Sequence, residues 1–254
     1  AEAIGPGAWV IEPGSGDGRK THRLLAALER PAGYTSIEIS KVSVEETTRD
    51  LRAAFPGVEI TAVRGDFSGA DGSGSLELPE MTGEKRVVFF PGSTIGNFDE
   101  DDAGLLMERF ARWVGSGRGP GGGLLIGADL VKPEAEMVAA YSDARGVTAE
   151  FNLNLLDRLN AEAGAEFDRG EWTHRATWNP ERSRMESHLV STADQRVRVG
   201  DEDFAFADGD AILTEISKKY TPESLERIAR PFEMKSRWFD PDRRFMVAYL
   251  EVPA

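Results

Sequence analysis

The segment Ile11-Glu12-Pro13-Gly14-Ser15-Gly16-Asp17-Gly18 constrains the fold of this chain more than any other. An apolar run over residues 8–11 enters a glycine turn, and leucines at helical spacing leave it, at Leu24, Leu25 and Leu28. Glu38 closes a second short apolar run, twenty residues beyond Gly18. This order predicts strand, tight turn, helix, strand and acidic tip: a βαβ unit that cradles an adenosine-containing cofactor. The glycines let the backbone approach a ligand closely, and the carboxylate at the tip can take both ribose hydroxyls.

The alternation continues through the first half of the chain. Strand-like runs cover residues 9–12, 34–39, 58–63, 86–90 and 124–128, with helix-like segments at 20–28, 43–55 and 101–114. Parallel strands with crossover helices are the economical reading. Residues 67–85, rich in Gly, Ser and Pro, read as a surface loop, and 115–123 as a glycine-laden link. The run Asp99–Asp102 reads as a helix N-terminus with a favourable dipole interaction. Beyond Asp129 the pattern changes. Helices are expected at 133–144 and 151–163, then strands of a hairpin or meander at 172–190 and 195–206. A helix opened by Thr221-Pro222 follows, then strands at 233–239 and 245–252 around the turn Asp240-Pro241-Asp242.

Composition excludes several classes of function. Thirty basic against forty-four acidic side chains give a net charge of −14, which argues against nucleic-acid phosphates or anionic lipid as partners. With no cysteine there is no disulfide, thiolate metal site or cysteine nucleophile. His22, His174 and His188 lack metal-ligand spacing, so no metal is expected. No apolar run approaches the roughly twenty residues of a membrane span, and the start of the chain lacks a signal-peptide pattern. A cytoplasmic location and a monomeric state are the expectations.

Four further segments carry a resemblance. They are Phe89-Phe90-Pro91-Gly92-Ser93-Thr94-Ile95-Gly96-Asn97-Phe98; Gly127-Ala128-Asp129-Leu130-Val131-Lys132; the stretch from Ala140-Tyr141 to Leu153-Asn154; and Leu213-Thr214-Glu215-Ile216-Ser217-Lys218-Lys219-Tyr220. Together and in this order they resemble the ergothioneine-pathway histidine Nα-methyltransferases, enzymes that use S-adenosyl-L-methionine. The resemblance implies an α/β fold: a Rossmann-like class I methyltransferase sheet with a terminal antiparallel hairpin and an inserted α+β substrate-binding subdomain. Residues 1–130 and 218–254 would form the cofactor-binding domain and 131–217 the insertion. The family carries a segment ahead of the first strand, with tyrosines that help close its pocket; this chain begins almost at that strand.

The same resemblance distributes roles. Glu12, Gly14, Gly16 and Lys20 would surround the methionyl part of the cofactor, Glu38 the ribose, and Asp66 and Phe67 the adenine. Asn97 and Tyr141 would hold the carboxylate of the amino acid and Gly92 would line its amine, which makes these three the candidate catalytic residues. Glu215 and Ser217 would recognise the imidazole, and Ser187 stands where the family has a methionine facing the ring. Read without the resemblance, Lys20 is a helix-surface lysine, Tyr141 an amphipathic-helix aromatic and Glu215/Ser217 a polar pair on a strand face; His174 and His188 are structural. The leading expectation is methylation of the α-amine of L-histidine to the trimethylated betaine hercynine, with a small amino acid as the only partner. Alternatives are a same-class enzyme for another amino acid or amine, an inactive cofactor-binding domain and, more distantly, an NAD-linked oxidoreductase.

Overall fold

The computed structural model describes residues 1–69, 76–82, 85–115 and 122–253. Parts of the expected loop at 67–85 and of the link at 115–123 therefore lie outside the described residues. By backbone contacts the chain divides into two compact units. One contains Ala1–Ile95, Asp99–Leu130 and Tyr220–Ala254; the other contains Gly96–Phe98 and Val131–Lys219.

The first unit opens with β1 (Ala8–Pro13), α1 (Arg19–Ala27), β2 (Gly33–Glu38), α2 (Lys41–Ala54) and β3 (Glu59–Arg64). It continues with β4 (Lys85–Phe90), α3 (Glu100–Gly115) and β5 (Gly123–Asp129). The sheet order is β3-β2-β1-β4-β5, all parallel. Late in the chain, α6 (Pro222–Ile228), β11 (Glu233–Phe239) and β12 (Phe245–Glu251) return to this unit. β12 lies antiparallel against β5 and β11 antiparallel against β12, completing a seven-stranded sheet. The α/β class and the terminal hairpin expected from the sequence are borne out. Every residue of β1 is buried, which identifies it as the central strand. Ala8, Val10, Leu24, Leu25, Leu28, Tyr34, Leu51 and Val87 pack into one apolar core beside it. That burial is why α1 places its leucines where it does: Leu24 and Leu25 face the sheet while Arg19, Lys20 and Arg23 stay outside.

The second unit holds α4 (Glu134–Tyr141), α5 (Val147–Ala163), β6 (Trp172–Asn179), β7 (Arg184–Ser191), β8 (Gln195–Val199), β9 (Glu202–Phe206) and β10 (Ala211–Lys218). β10, β7 and β6 form an antiparallel sheet and β8–β9 a separate hairpin. Leu156 of α5, Phe167, Trp172, Leu189 and Val197 make its core. Two helix boundaries differ from the sequence expectation. α4 ends at Tyr141 rather than residue 144, and α5 starts at Val147 rather than 151. The Asp143 carboxylate accepts from the backbone N–H groups of Thr148 and Val147, which starts α5 early and holds that carboxyl down at about 2.

Candidate active site

In the first unit, the carboxyl ends of the parallel strands and the loops that leave them carry Glu12, Gly14, Gly16, Glu38, Asp66 and Phe67, and Lys20 stands in the first turn of α1. This is the edge at which open α/β sheets bind ligands. Gly14, Gly16 and Gly18 all have positive φ (68°, 55° and 68°), a conformation that costs other residues about 1–2 kcal/mol. The turn they make is pinned by Gly14 N–H donating to the Ile37 carbonyl at 2.8 Å. A cleft of about 240 Å³ opens above it, lined by Glu12, Gly14, Gly16 and Lys20, and by Phe90 and Gly92 from the end of β4. Lys20 therefore turns into the cleft: its Nζ lies 3.6 Å from where a Cβ on Gly92 would stand. Phe67 stands over the turn, 3.5 Å from the position of a Cβ on Gly14, and meets Phe90 edge to face at 5.8 Å.

Glu12 forms the floor. It is 2% exposed and accepts hydrogen bonds from the Thr21 and Tyr34 hydroxyls, the latter at 2.8 Å. Burial raises its pKa to about 7, although both hydroxyls and the Lys20 charge act in the opposite direction. Glu38, at the tip of β2, uses one carboxylate oxygen to accept from the backbone of Ile39 and Ser40 at 2.9 and 3.3 Å. Its second oxygen makes no hydrogen bond among the described residues. Asp66 accepts from the Ser68 N–H and hydroxyl, which fixes the loop after β3. After β4, Ser93 is held at φ 59° with its hydroxyl accepting from Asp129 N–H at 2.9 Å. A Cβ on Gly127 would meet the Pro91 carbonyl at 2.1 Å, so glycine there lets the loop carrying Gly92 close onto β5. A larger groove of about 680 Å³ starts from Gly16 and Gly18 on the other side of the turn and runs between α1 and α2, with Arg19, Arg23, Glu46 and Asp50 on its walls.

The second unit gathers the residues expected at the substrate. Glu215 and Ser217 alternate along β10, and Lys219 continues the alternation one residue past the strand end, so all three share a face. Across the sheet, Glu215 pairs with Ser187 and Ser217 with Met185. A methionine thus stands on this face beside Ser187, two residues from where the resemblance places one. Ser187 is 3% exposed, whereas Glu215 is exposed and makes no hydrogen bond or ion pair among the described residues. Tyr141, at the last position of α4, donates to the Ser217 hydroxyl at 2.7 Å. Asn97 is exposed and without a hydrogen-bonding partner among the described residues. It follows Gly96, where a Cβ would come within 2.7 Å of the Lys218 carbonyl. Glycine at that position therefore lets the backbone at Gly96 lie directly against Lys218 at the end of β10.

Two features escaped the sequence reading. Lys219, which reads as a surface lysine beside Lys218, is 3% exposed and donates to Tyr141 Oη at 2.8 Å and Ser217 Oγ at 2.9 Å. Its ammonium lies 4.9 Å from the Tyr141 ring centre. Tyr141 is also held from behind. The Asn152 amide nitrogen donates to the His188 carbonyl at 3.2 Å and lies 2.9 Å from His174 Nδ1. Nδ1 is then the acceptor, so Nε2 carries the proton and donates to the Tyr141 carbonyl at 2.8 Å. His174 acts as the sequence reading has it, as a structural residue. The only sequence signal for Lys219 is its i+2 spacing from Ser217 and Glu215.

Comparison with known proteins places these residues in context. A family model described as histidine-specific, SAM-dependent methyltransferase matches residues 1–252. A histidine N-alpha-methyltransferase of Mycolicibacterium smegmatis is 36% identical over 239 residues, covering 91% of this chain and 71% of that protein. The protein of the same name from Mycobacterium tuberculosis is 38% identical over 221 residues, covering 85% of this chain and 66% of its own length. Among solved structures, the S-adenosylmethionine-dependent methyltransferase SibL in its apo form superposes with a TM-score of 0.52. That match covers 98% of this chain and 51% of the other at 12% identity, a likeness of fold alone.

Proposed function

The chain belongs to the family of histidine-specific, S-adenosylmethionine-dependent methyltransferases, and on that premise we propose that it methylates the α-amine of L-histidine, up to the trimethylated betaine hercynine. The observation that carries the choice of histidine is on β10: Glu215, a carboxylate without a partner among the described residues, shares a face with a braced hydroxyl, Ser217. A neutral imidazole offers one N–H donor and one acceptor nitrogen, and this pair answers both.

The first unit's residues suit the cofactor. The positive φ of Gly14, Gly16 and Gly18 favours glycine in the turn, and without a side chain Gly14 leaves the space under the Phe67 ring open. Glu38 keeps one carboxylate oxygen open for ribose hydroxyls, Asp66 and Phe67 follow β3 for the adenine, and Lys20 turns its charge into the cleft for the methionyl carboxylate. S-adenosylmethionine, when bound, supplies an electrophilic methyl group on a sulfonium. The protein's own part is positioning, because in-line transfer to an amine needs alignment rather than a covalent intermediate. Gly92, without a side chain, presents backbone to the amine. Asn97 offers amide donors to the substrate carboxylate. Tyr141 gives its proton to Ser217, so its geometry favours bracing the ring pocket over the carboxylate contact that the resemblance implies. The amine must reach the site unprotonated, since only the free lone pair can attack.

The reading is tested by comparing histidine with histamine, which lacks the carboxylate, and phenylalanine, which lacks the ring nitrogens. Each should lose at least about tenfold in kcat/KM relative to histidine, because polar groups that answer the carboxylate or the ring nitrogens would be left unpaired in the complex. Equal turnover of histidine and phenylalanine would contradict it.

A further inference from the structure

Ser217 is held in a triangle of hydrogen bonds. Its oxygen accepts from Tyr141 Oη at 2.7 Å and from Lys219 Nζ at 2.9 Å. The Lys219 ammonium also donates to Tyr141 Oη at 2.8 Å, while the phenol proton is directed at Ser217. A hydroxyl has two acceptor lone pairs and one proton. Both lone pairs are filled, and the Ser217 proton has no acceptor among the described residues. Ser217 is 9% exposed and Lys219 3%. The serine can therefore only donate to a ligand.

We infer that Lys219 is a positioning residue that locks Ser217 as a hydrogen-bond donor, and that the site consequently binds histidine only with its imidazole neutral. The inference rests on the histidine reading above. An imidazolium carries N–H on both nitrogens and would set a proton against the proton of Ser217. Among the described residues, this face carries Glu215 of β10, Lys219 just past its end and Tyr141 of α4. Their partners across the sheet, Ser187 and Met185 on β7 and Ala176 and Trp178 on β6, carry no charge. Arg184, Glu186 and His188 alternate with those β7 residues and occupy the opposite face. Glu215 favours the cationic ring, but it is exposed and screened by water, whereas the polarity of the Ser217 hydroxyl is fixed by its two donors. The donor lock wins.

The test is calorimetric binding of two ligands to the S-adenosylhomocysteine-loaded protein across mildly acidic to neutral pH. One is histidine. The other is β-(1,2,4-triazol-3-yl)alanine, whose ring keeps an N–H and an acceptor nitrogen yet stays neutral throughout. In the wild type the histidine Kd should rise about tenfold for each pH unit below roughly 6.5, the ring's ordinary pKa, while that of the triazole stays level. In Lys219→Met, Ser217 regains an accepting lone pair, and the histidine curve should flatten towards that of the triazole, with S-adenosylhomocysteine affinity unchanged. Parallel curves for the two ligands in the wild type would overturn the inference even if the variant fails to fold, as would an unaltered histidine curve in a folded Lys219→Met. Absence of histidine binding at any pH would instead overturn the histidine reading, and this inference with it.

Discussion

Glu12 sits under the glycine turn with its carboxylate enclosed by Thr21 and Tyr34. Its pKa of about 7, against 4.5 when unperturbed, means that the folded chain keeps a proton the unfolded chain releases. The stability this residue contributes is complete below the unfolded value and is lost as pH rises through about 7. Glu12→Gln removes that loss and leaves an oxygen to accept from the two hydroxyls. Its melting temperature relative to wild type should therefore climb between about pH 5 and pH 8, by the equivalent of roughly 2–3 kcal/mol. An offset that stays constant with pH would show that Glu12 is ionised throughout. Glu215 is the second decisive residue. Glu215→Ala should cost histidine methylation about 2–3 kcal/mol of transition-state stabilisation and relax discrimination against phenylalanine and tryptophan, because an unpaired carboxylate no longer penalises apolar rings. Turnover of all three substrates in both proteins checks this; equal proportional losses would make Glu215 a strand residue and nothing more.

At the scale of elements, β10 is where the sequence pattern and the structure part company. Period-2 alternation puts Glu215 and Ser217 on one face, and the structure agrees, but only beyond a register shift between Leu213 and Glu215. Thr214 is the extra residue there, and its hydroxyl donates to the Ser187 carbonyl at 2.9 Å. A bulge of this kind re-aims the side chains that follow it, and no periodicity in a single strand reveals it. Lys219 was illegible for a related reason: a lysine is buried only where groups from another element satisfy it, and Tyr141 lies 78 residues away in the chain. The glycine turn, the place of Glu38 at the tip of β2 and the alternation of strands and helices were legible because they depend on local backbone demands and on burial of neighbouring residues. Gly96 tests how closely the backbone before Asn97 must approach Lys218. In Gly96→Ala the new methyl meets the Lys218 carbonyl, so the two backbones must separate and carry Asn97 away. Histidine kcat/KM should fall by about tenfold or more, as displacements of about 1 Å in positioning groups do. S-adenosylhomocysteine affinity should be retained, and a proportionate loss of both would indicate general unfolding instead.

For the molecule as a whole, the proposed roles divide along the two units. Cofactor residues belong to the seven-stranded unit, which returns to the last two strands after the chain has built the second, and the ring-recognising residues belong to the unit of β6, β7 and β10. Substitutions at Glu215, Ser217 or Lys219 should therefore act on the amino acid and spare the cofactor. The family's fold was readable from its alternating strands and helices, whereas the identity of the amino acid rests on a few side chains whose partners lie on other elements. The most direct measurement is mass spectrometry of an equimolar mixture of the twenty amino acids incubated with the protein and S-adenosylmethionine. The account predicts that histidine alone gains mass, in steps of one, two and three methyl groups on its α-nitrogen. Faster methylation of any other amino acid, or methyl groups on the imidazole ring, would contradict it.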